Sequence, residues 1–237
     1  MLFISVIKWA IGISLTIISA VIFFLSYPFS KEKEFLHKLA ALWARSIIIV
    51  SGSEVIVHGM NNLENIAGPR VVFANHQSFF DIYILTAWLP GKVIFLSKDS
   101  IFKIPILGLI MKILGQVSIK RTDARSALRS MDEAAERVRE GYLLVVFPEG
   151  TRSKNGKVAP FKSGVARIPY KAEARIIPVV ISGTGNIQKK GSMKVKGSKI
   201  KISILPSISP PGRSKREQLA RLEEVREKIT SSLYSNR

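Results

Sequence analysis

The chain of 237 residues contains no cysteine. Disulfides, thiolate catalysis, zinc–thiolate sites and acyl-cysteine intermediates are therefore excluded. Acidic side chains are scarce: 17 Asp and Glu stand against 36 Lys and Arg, a net charge of +19. Histidine occurs three times, at His37, His58 and His76, so few side chains are candidates for a base at neutral pH. No G-x-S-x-G stretch is present, and a serine nucleophile on a strand-to-helix elbow is not indicated. There is no internal repeat or low-complexity tract, and no helix-turn-helix, RRM or zinc signature to direct the positive charge at nucleic acid. On charge alone, a membrane-tethered binding protein for nucleic acid or anionic lipid remains an alternative.

Despite that charge, 47% of the residues are hydrophobic and the mean hydropathy is positive. The combination suggests an apolar part that faces a membrane and a cationic part that faces something anionic. Trp9 to Ser30 is an uncharged run, long enough to cross a hydrocarbon core as a helix, and Pro28 is expected to end it. It is too long, and its leading basic region too thin, for a cleaved signal peptide. Lys31, Lys33, Lys38 and Arg45 follow, which places the bulk of the chain on the cytoplasmic side of the cytoplasmic membrane. Phe35, Leu36, Leu39, Trp43 and Ile47 then share a helical face with an interfacial look. Either the first helix spans the bilayer, or both helices form a hairpin dipping into one leaflet. Residues 1–52 are thus expected to be a membrane-anchoring helical hairpin, and residues 53–237 a single domain.

Beyond residue 52, short apolar runs alternate with helical patterns. This predicts an α/β domain with a mostly parallel or mixed central sheet flanked by helices. Strands are expected at Glu54–His58, Arg70–Ala74, Lys92–Leu96, Gln116–Ile119, Tyr142–Phe147 and Arg175–Ile181. A hairpin of Met193–Lys196 and Lys199–Leu205, turning at Gly197–Ser198, is expected to close the sheet. Helices are expected at Ser78–Trp88, Ile106–Leu114, Ala124–Glu140, Ser163–Ala172 and Lys215–Tyr234, with Thr122 or Asp123 capping the third and Gly141 stopping it. The apolar stretch Ile101–Leu114 could line an acyl channel at Gly108, rest on a membrane, or be plain core.

Several of these strands end in a polar residue of the kind that does chemistry. VVFA precedes Asn75 and His76, VIFLS precedes Lys98, VSIK precedes Arg121, and LLVVFP precedes Glu149 with Arg152 three residues on. Ligands of open α/β sheets bind beyond the carboxyl ends of the strands. Parallel strands would therefore gather one imidazole, three cations and a carboxylate at one edge, and three cations suggest a phosphate subsite. His76 and Asp81 lie five residues apart, about 500° along a helix and roughly 140° off a shared face. They can meet only if His76 sits on the turn before the helix and Asp81 in its first turn, with Ser78 as the cap. Asp81 would then hold the imidazole and leave its other nitrogen as a base; the plainer alternative is a capping box with Ser78.

These blocks resemble those of the glycerolipid acyltransferases. His76-Gln77-Ser78-Phe79-Phe80-Asp81 is similar to their H-x₄-D motif, and Phe147-Pro148-Glu149-Gly150-Thr151-Arg152-Ser153 to their F-P-E-G-T-R-S motif. Lys98, Phe102, Pro105, Gly108, Gly115, Ile119 and Arg121 resemble a second block, and Ile177-Pro178-Val179 with Gly183-Thr184 a fourth. The resemblance runs from about Val55 to Gly185. Size and the N-terminal hairpin look most like the bacterial lysophosphatidate acyltransferases of that family. Ser100 departs from the leucine common there, and Lys120 from an acidic residue. Both departures bear on acceptor preference. The resemblance implies acyl transfer from an acyl carrier protein or coenzyme A thioester to the 2-hydroxyl of lysophosphatidate at a phospholipid bilayer, with glycerol 3-phosphate or another lysolipid as the alternative acceptor. His76 would be the general base and Asp81 its partner. Lys98, Arg121, Glu149, Gly150, Thr151 and Arg152 would bind the acceptor. No cofactor, metal or nucleic acid is implied.

Overall fold

The structure, a computed structural model, describes residues 2–30, 33–120, 122–153, 155–188 and 192–235. Its elements are α1 (Leu2–Ser26), α2 (Glu34–Ser51), β1 (Glu54–His58), α3 (Asn61–Glu64), β2 (Arg70–Ala74), α4 (Phe80–Trp88), β3 (Val93–Lys98), α5 (Leu107–Ile113), β4 (Val117–Ile119), α6 (Ala124–Arg139), β5 (Leu143–Val146), α7 (Arg167–Ala172), β6 (Arg175–Ser182), β7 (Lys199–Ile204) and α8 (Lys215–Ser235). The strands form one seven-stranded mixed sheet in the order β1-β7-β6-β2-β5-β3-β4. Every pairing is parallel except β6 with β7. The carboxyl ends of β2, β5, β3 and β6 therefore share one edge.

The central strands read as continuous apolar runs because both faces are covered. Along β2, Val71 and Phe73 pack into the layer built by α6, α7 and α8, while Val72 and Ala74 pack into the layer built by α2 and α4. Neighbouring β5 divides the same way: Leu144 and Val146 face one layer, Leu143 and Val145 the other. The period of two thus sorts two cores onto one sheet. Asp123 caps α6, its carboxylate accepting from the N–H groups of Arg125 and Ser126. Gly141 (φ 84°) follows the end of this helix in a conformation that L side chains avoid.

The hairpin expectation fails. Met193–Lys196 is not a strand and no hairpin forms; β7 inserts between β1 and β6. The backbone at Gly197 crosses Gly52 so closely that a Cβ would meet the Gly52 carbonyl at 2.1 Å, and Ser198 accepts from the N–H of Glu54. The chain passes over the start of β1 instead of turning back. Gly108 is buried in α5. A Cβ there would lie 2.1 Å from the carbonyl of Phe102, so this glycine lets α5 seat against the 3-10 turn Asp99–Lys103. The expected helix at Ser163–Ala172 begins instead as a 3-10 turn, becoming α-helical at Arg167.

The N-terminal helices pack on the sheet's α4 layer. Ile47 and Ile48 of α2 enter that core. Near the start of α1, Lys8 Nζ donates to the Ser51 carbonyl, Trp9 Nε1 donates to the Met193 carbonyl, and Ser5 Oγ accepts from the N–H of Val195. Near its end, Phe23 and Phe24 pack with Leu36 of α2 and with Ile110, Ile113 and Leu114 at α5. Helix α1 therefore contacts the body at both ends while its outer face remains apolar and exposed, from Phe3 to Leu25.

His37 of α2 is buried edge-on to the Tyr142 ring. Burial holds its imidazole down to about 4 from an ordinary 6.5; the Leu114 and Val93 carbonyls pull the other way, and Lys92 and Lys33 add positive charge nearby. The folded form thus favours the neutral ring. Its contribution to stability is whole above pH 6.5 and is lost as pH falls toward about 4, reaching about 3 kcal/mol at the limit. Thermal melts of His37→Gln are expected to lose less between pH 7 and pH 4 than those of the parent. An unchanged slope would assign that pH dependence to another group.

Candidate active site

His76 lies two residues past the end of β2, on the turn that leads into α4, and Asp81 lies in the first turn of that helix. The fivefold spacing is bridged as this placement requires. His76 Nδ1 is 2.8 Å from Asp81 Oδ2. The same oxygen accepts from the N–H groups of Gln77 at 2.7 Å and Ser78 at 2.9 Å. Ser78 is not the expected cap: α4 begins at Phe80 with Phe79 at its N-cap and no side-chain cap bond, so Asp81 holds the imidazole and the backbone of the turn with one oxygen. Asp81 Oδ1 accepts from Thr184 Oγ1 at 2.5 Å, and both residues are fully buried. A carboxylate can only accept, so Nδ1 must carry the proton, and Nε2 keeps the free lone pair.

The ring is fixed by stacking as well. Phe147, just beyond β5, lies parallel to it with centroids 4.0 Å apart. Its own backbone is gripped from both sides by the segment that follows Phe147. The N–H of His76 donates to Glu149 Oε1 at 2.9 Å, and the His76 carbonyl accepts from the N–H of Ser153 at 2.7 Å. Glu149 is 3% exposed. Its second oxygen accepts from the N–H of Ala159 at 2.8 Å. Burial pushes its carboxyl up, and these two N–H donors pull it partly back. Both oxygens thus serve backbone donors, those of His76 and Ala159. Glu149→Gln can present only one acceptor oxygen to those two donors. This variant is expected to lose about tenfold in kcat, the scale of one hydrogen bond to a charged group, with acceptor KM unchanged. A raised acceptor KM at constant kcat would instead mark Glu149 as a binding residue.

Gly150 adopts φ 71° in a turn whose N–H bonds the Phe147 carbonyl, so glycine is required there by the backbone. Thr151 and Arg152 are exposed on this turn, immediately before Ser153. Lys98 is exposed at the carboxyl end of β3, on the same sheet edge and beside β5. Arg121 lies outside the described residues. Three contributors went unassigned at the sequence level. Asn75 bonds both the N–H and the carbonyl of Ile181 with its side chain, carrying the β2–β6 pairing one step past the ladder. Phe147 and Thr184 sat inside motifs, yet nothing in a one-dimensional pattern says that one will stack on the imidazole and the other will underpin its carboxylate.

An aliphatic and aromatic cavity of about 270 Å³ opens between α1, α2 and α4. Its walls include Gly12, Thr16, Ile47, Val50, Phe79 and Phe80, and the last two fall between His76 and Asp81 in sequence.

A family model described as acyltransferase matches residues 54–182. A chloroplastic 1-acyl-sn-glycerol-3-phosphate acyltransferase of Brassica napus is 40% identical over 161 residues, covering 68% of this chain and 46% of that protein. A 1-acyl-sn-glycerol-3-phosphate acyltransferase of Helicobacter pylori is 30% identical, covering 63% of this chain and 65% of that one. The chain spans about half the length of the plant and algal relatives it matches. The crystal structure of the 1-acyl-sn-glycerophosphate (LPA) acyltransferase PlsC from Thermotoga maritima superposes with a TM-score of 0.83 at 26% identity, over 99% of this chain and 95% of that one.

Proposed function

The chain belongs to the acyltransferase family, and from that premise we propose that it transfers a fatty acyl group from a thioester to the 2-hydroxyl of lysophosphatidate, giving phosphatidate. One observation carries this reading: an imidazole whose Nδ1 is bound to a buried carboxylate, on a turn held by the Phe147–Ser153 segment. Nε2 takes the hydroxyl proton as the oxygen attacks the thioester carbonyl. The tetrahedral intermediate then expels the sulfur, and the imidazolium returns the proton to the departing thiolate. Asp81 stabilises the imidazolium between those two transfers. Positioned bases of this kind contribute about 10²- to 10⁴-fold. Relatives named as 1-acyl-sn-glycerol-3-phosphate acyltransferases support lysophosphatidate as the acceptor. In this reading Lys98 and Arg152, both exposed, meet its phosphate together with Arg121 of the second block.

The cavity beside Phe79 and Phe80 suits the donor's acyl chain. A Cβ on Gly12 would meet Ile47 Cδ1 at 3.7 Å, an ordinary contact, so a larger side chain there extends into the cavity without displacing backbone. Gly12→Leu is expected to shift donor preference to shorter chains, read from competing acyl thioesters of graded length. An unchanged preference would place the acyl chain elsewhere.

Residues 1–52 act as the membrane anchor in this proposal. Contacts of α1 with the body near both of its ends favour a helix lying along one leaflet over one that leaves the body to cross the bilayer. The decisive assay combines purified protein with lysophosphatidate or glycerol 3-phosphate as acceptor and acyl carrier protein or coenzyme A thioesters as donor. Phosphatidate is expected from lysophosphatidate with at least one donor. Acylation of glycerol 3-phosphate alone would change the acceptor, and binding of lipid without transfer would overturn the enzyme.

A further inference from the structure

Between β3 and β4 the chain forms an apolar knuckle remote from the N-terminal sequence. Ile104, Pro105, Ile106 and Leu107 are consecutive exposed residues, and Leu109 of α5 is exposed beside them. Ile106 is 61% exposed at φ 63°, ψ −58°. A β-branched residue at positive φ is a true outlier. The N–H of Leu107 reaches the Pro105 carbonyl at 2.6 Å, closing a three-residue turn of the strained, positive-φ kind. Such strain persists only where surrounding structure imposes it. Gly108 does so here, seating α5 against the Phe102 carbonyl. The result is an isoleucine presented to solvent with no packing benefit.

We propose that this knuckle is a second membrane contact that inserts into the same leaflet as α1. The proposal rests on the membrane reading above, and two observations favour lipid as the occupant. First, the opposite side of α5 is continuous with the N-terminal helices: Ile110, Ile113 and Leu114 pack with Phe23, Phe24, Leu36 and Leu39. The knuckle therefore adjoins the end of the helix that carries the long exposed apolar face. Second, Lys98, Lys103, Lys112 and Lys120 are exposed in the stretch that carries it, and Asp99 is the one acidic residue from Val93 to Lys120. An apolar tip in a stretch whose exposed charges are lysines matches an anionic leaflet. Lys98 also ends β3 at the sheet edge that carries His76. A docked knuckle would hold that edge at headgroup level, where a lysolipid can present its hydroxyl while its chain stays in the leaflet.

The absence of cysteine makes the test clean. Full-length chains carrying Ile106→Cys, Leu109→Cys, Ile17→Cys on α1, or Leu128→Cys on α6 are labelled with an environment-sensitive fluorophore. They are then mixed with phosphatidylglycerol-containing vesicles. Labels at 106, 109 and 17 are expected to shift to the blue and to be quenched by nitroxide-bearing acyl chains, and the label at 128 to stay water-like. A shift at 17 without one at 106 or 109 overturns the knuckle and leaves the anchor standing. Shifts at none of the sites overturn both, independently of any enzymatic result. Leu109→Asp is expected to weaken vesicle binding about tenfold, the scale of removing one buried leucine, with activity on detergent-dispersed lysophosphatidate retained. Unchanged vesicle affinity would count against insertion.

Discussion

His76→Ala is expected to reduce kcat for phosphatidate formation by about 10²- to 10⁴-fold, the contribution of a positioned general base. The change removes the imidazole through which the proton passes in the proposed transfer. It should do so with little structural damage. The backbone of His76 is held by Glu149 and by Ser153 through main-chain atoms, which alanine keeps. The ring itself is 14% exposed and stacks on Phe147, so its loss uncovers one aromatic face. Vesicle binding and lysophosphatidate KM are expected to stay near parent values. Retained transfer would remove the base from the account.

Asp81→Asn separates charge from geometry. The side-chain oxygen of asparagine can take the place of Oδ2 and accept from Gln77, Ser78 and His76, while its NH₂ faces Thr184, whose hydroxyl can turn to accept. The turn should therefore survive, yet the imidazolium formed during transfer loses its buried counter-charge. A loss in kcat of about 10²-fold or more is expected, at unchanged KM and with a thermal midpoint close to the parent's. If Asp81 served only to hold this turn, the same variant would keep its kcat.

The parts of the fold legible in the sequence are those governed by local periodicity. β1 and β2 match their expected bounds, and α6 starts where Asp123 caps it. In the site, the turn geometry implied by an H-x₄-D spacing is what the structure contains. Pairing order was not legible. The stretch Met193–Leu205 contains a turn signal at Gly197–Ser198, but Gly197 is there because it crosses Gly52, more than a hundred residues away in sequence. The close approach of Gly108 to the Phe102 carbonyl is equally invisible in a one-dimensional pattern. The backbone N–H partners of Glu149 were not legible either, because no sequence pattern displays them. Lys98 and Arg152 reach the expected edge as exposed strand-end and turn residues.

Direct transfer by His76 requires that no acyl group ever rests on the protein. Rapid mixing of enzyme with labelled acyl thioester, first without and then with lysophosphatidate, tests this most directly. Donor alone should release no thiol in proportion to enzyme and leave no label on the chain, while addition of acceptor should yield phosphatidate within a single turnover. One equivalent of thiol released from donor alone, with the label retained on denatured protein, would show a covalent intermediate and contradict the role given to the imidazole.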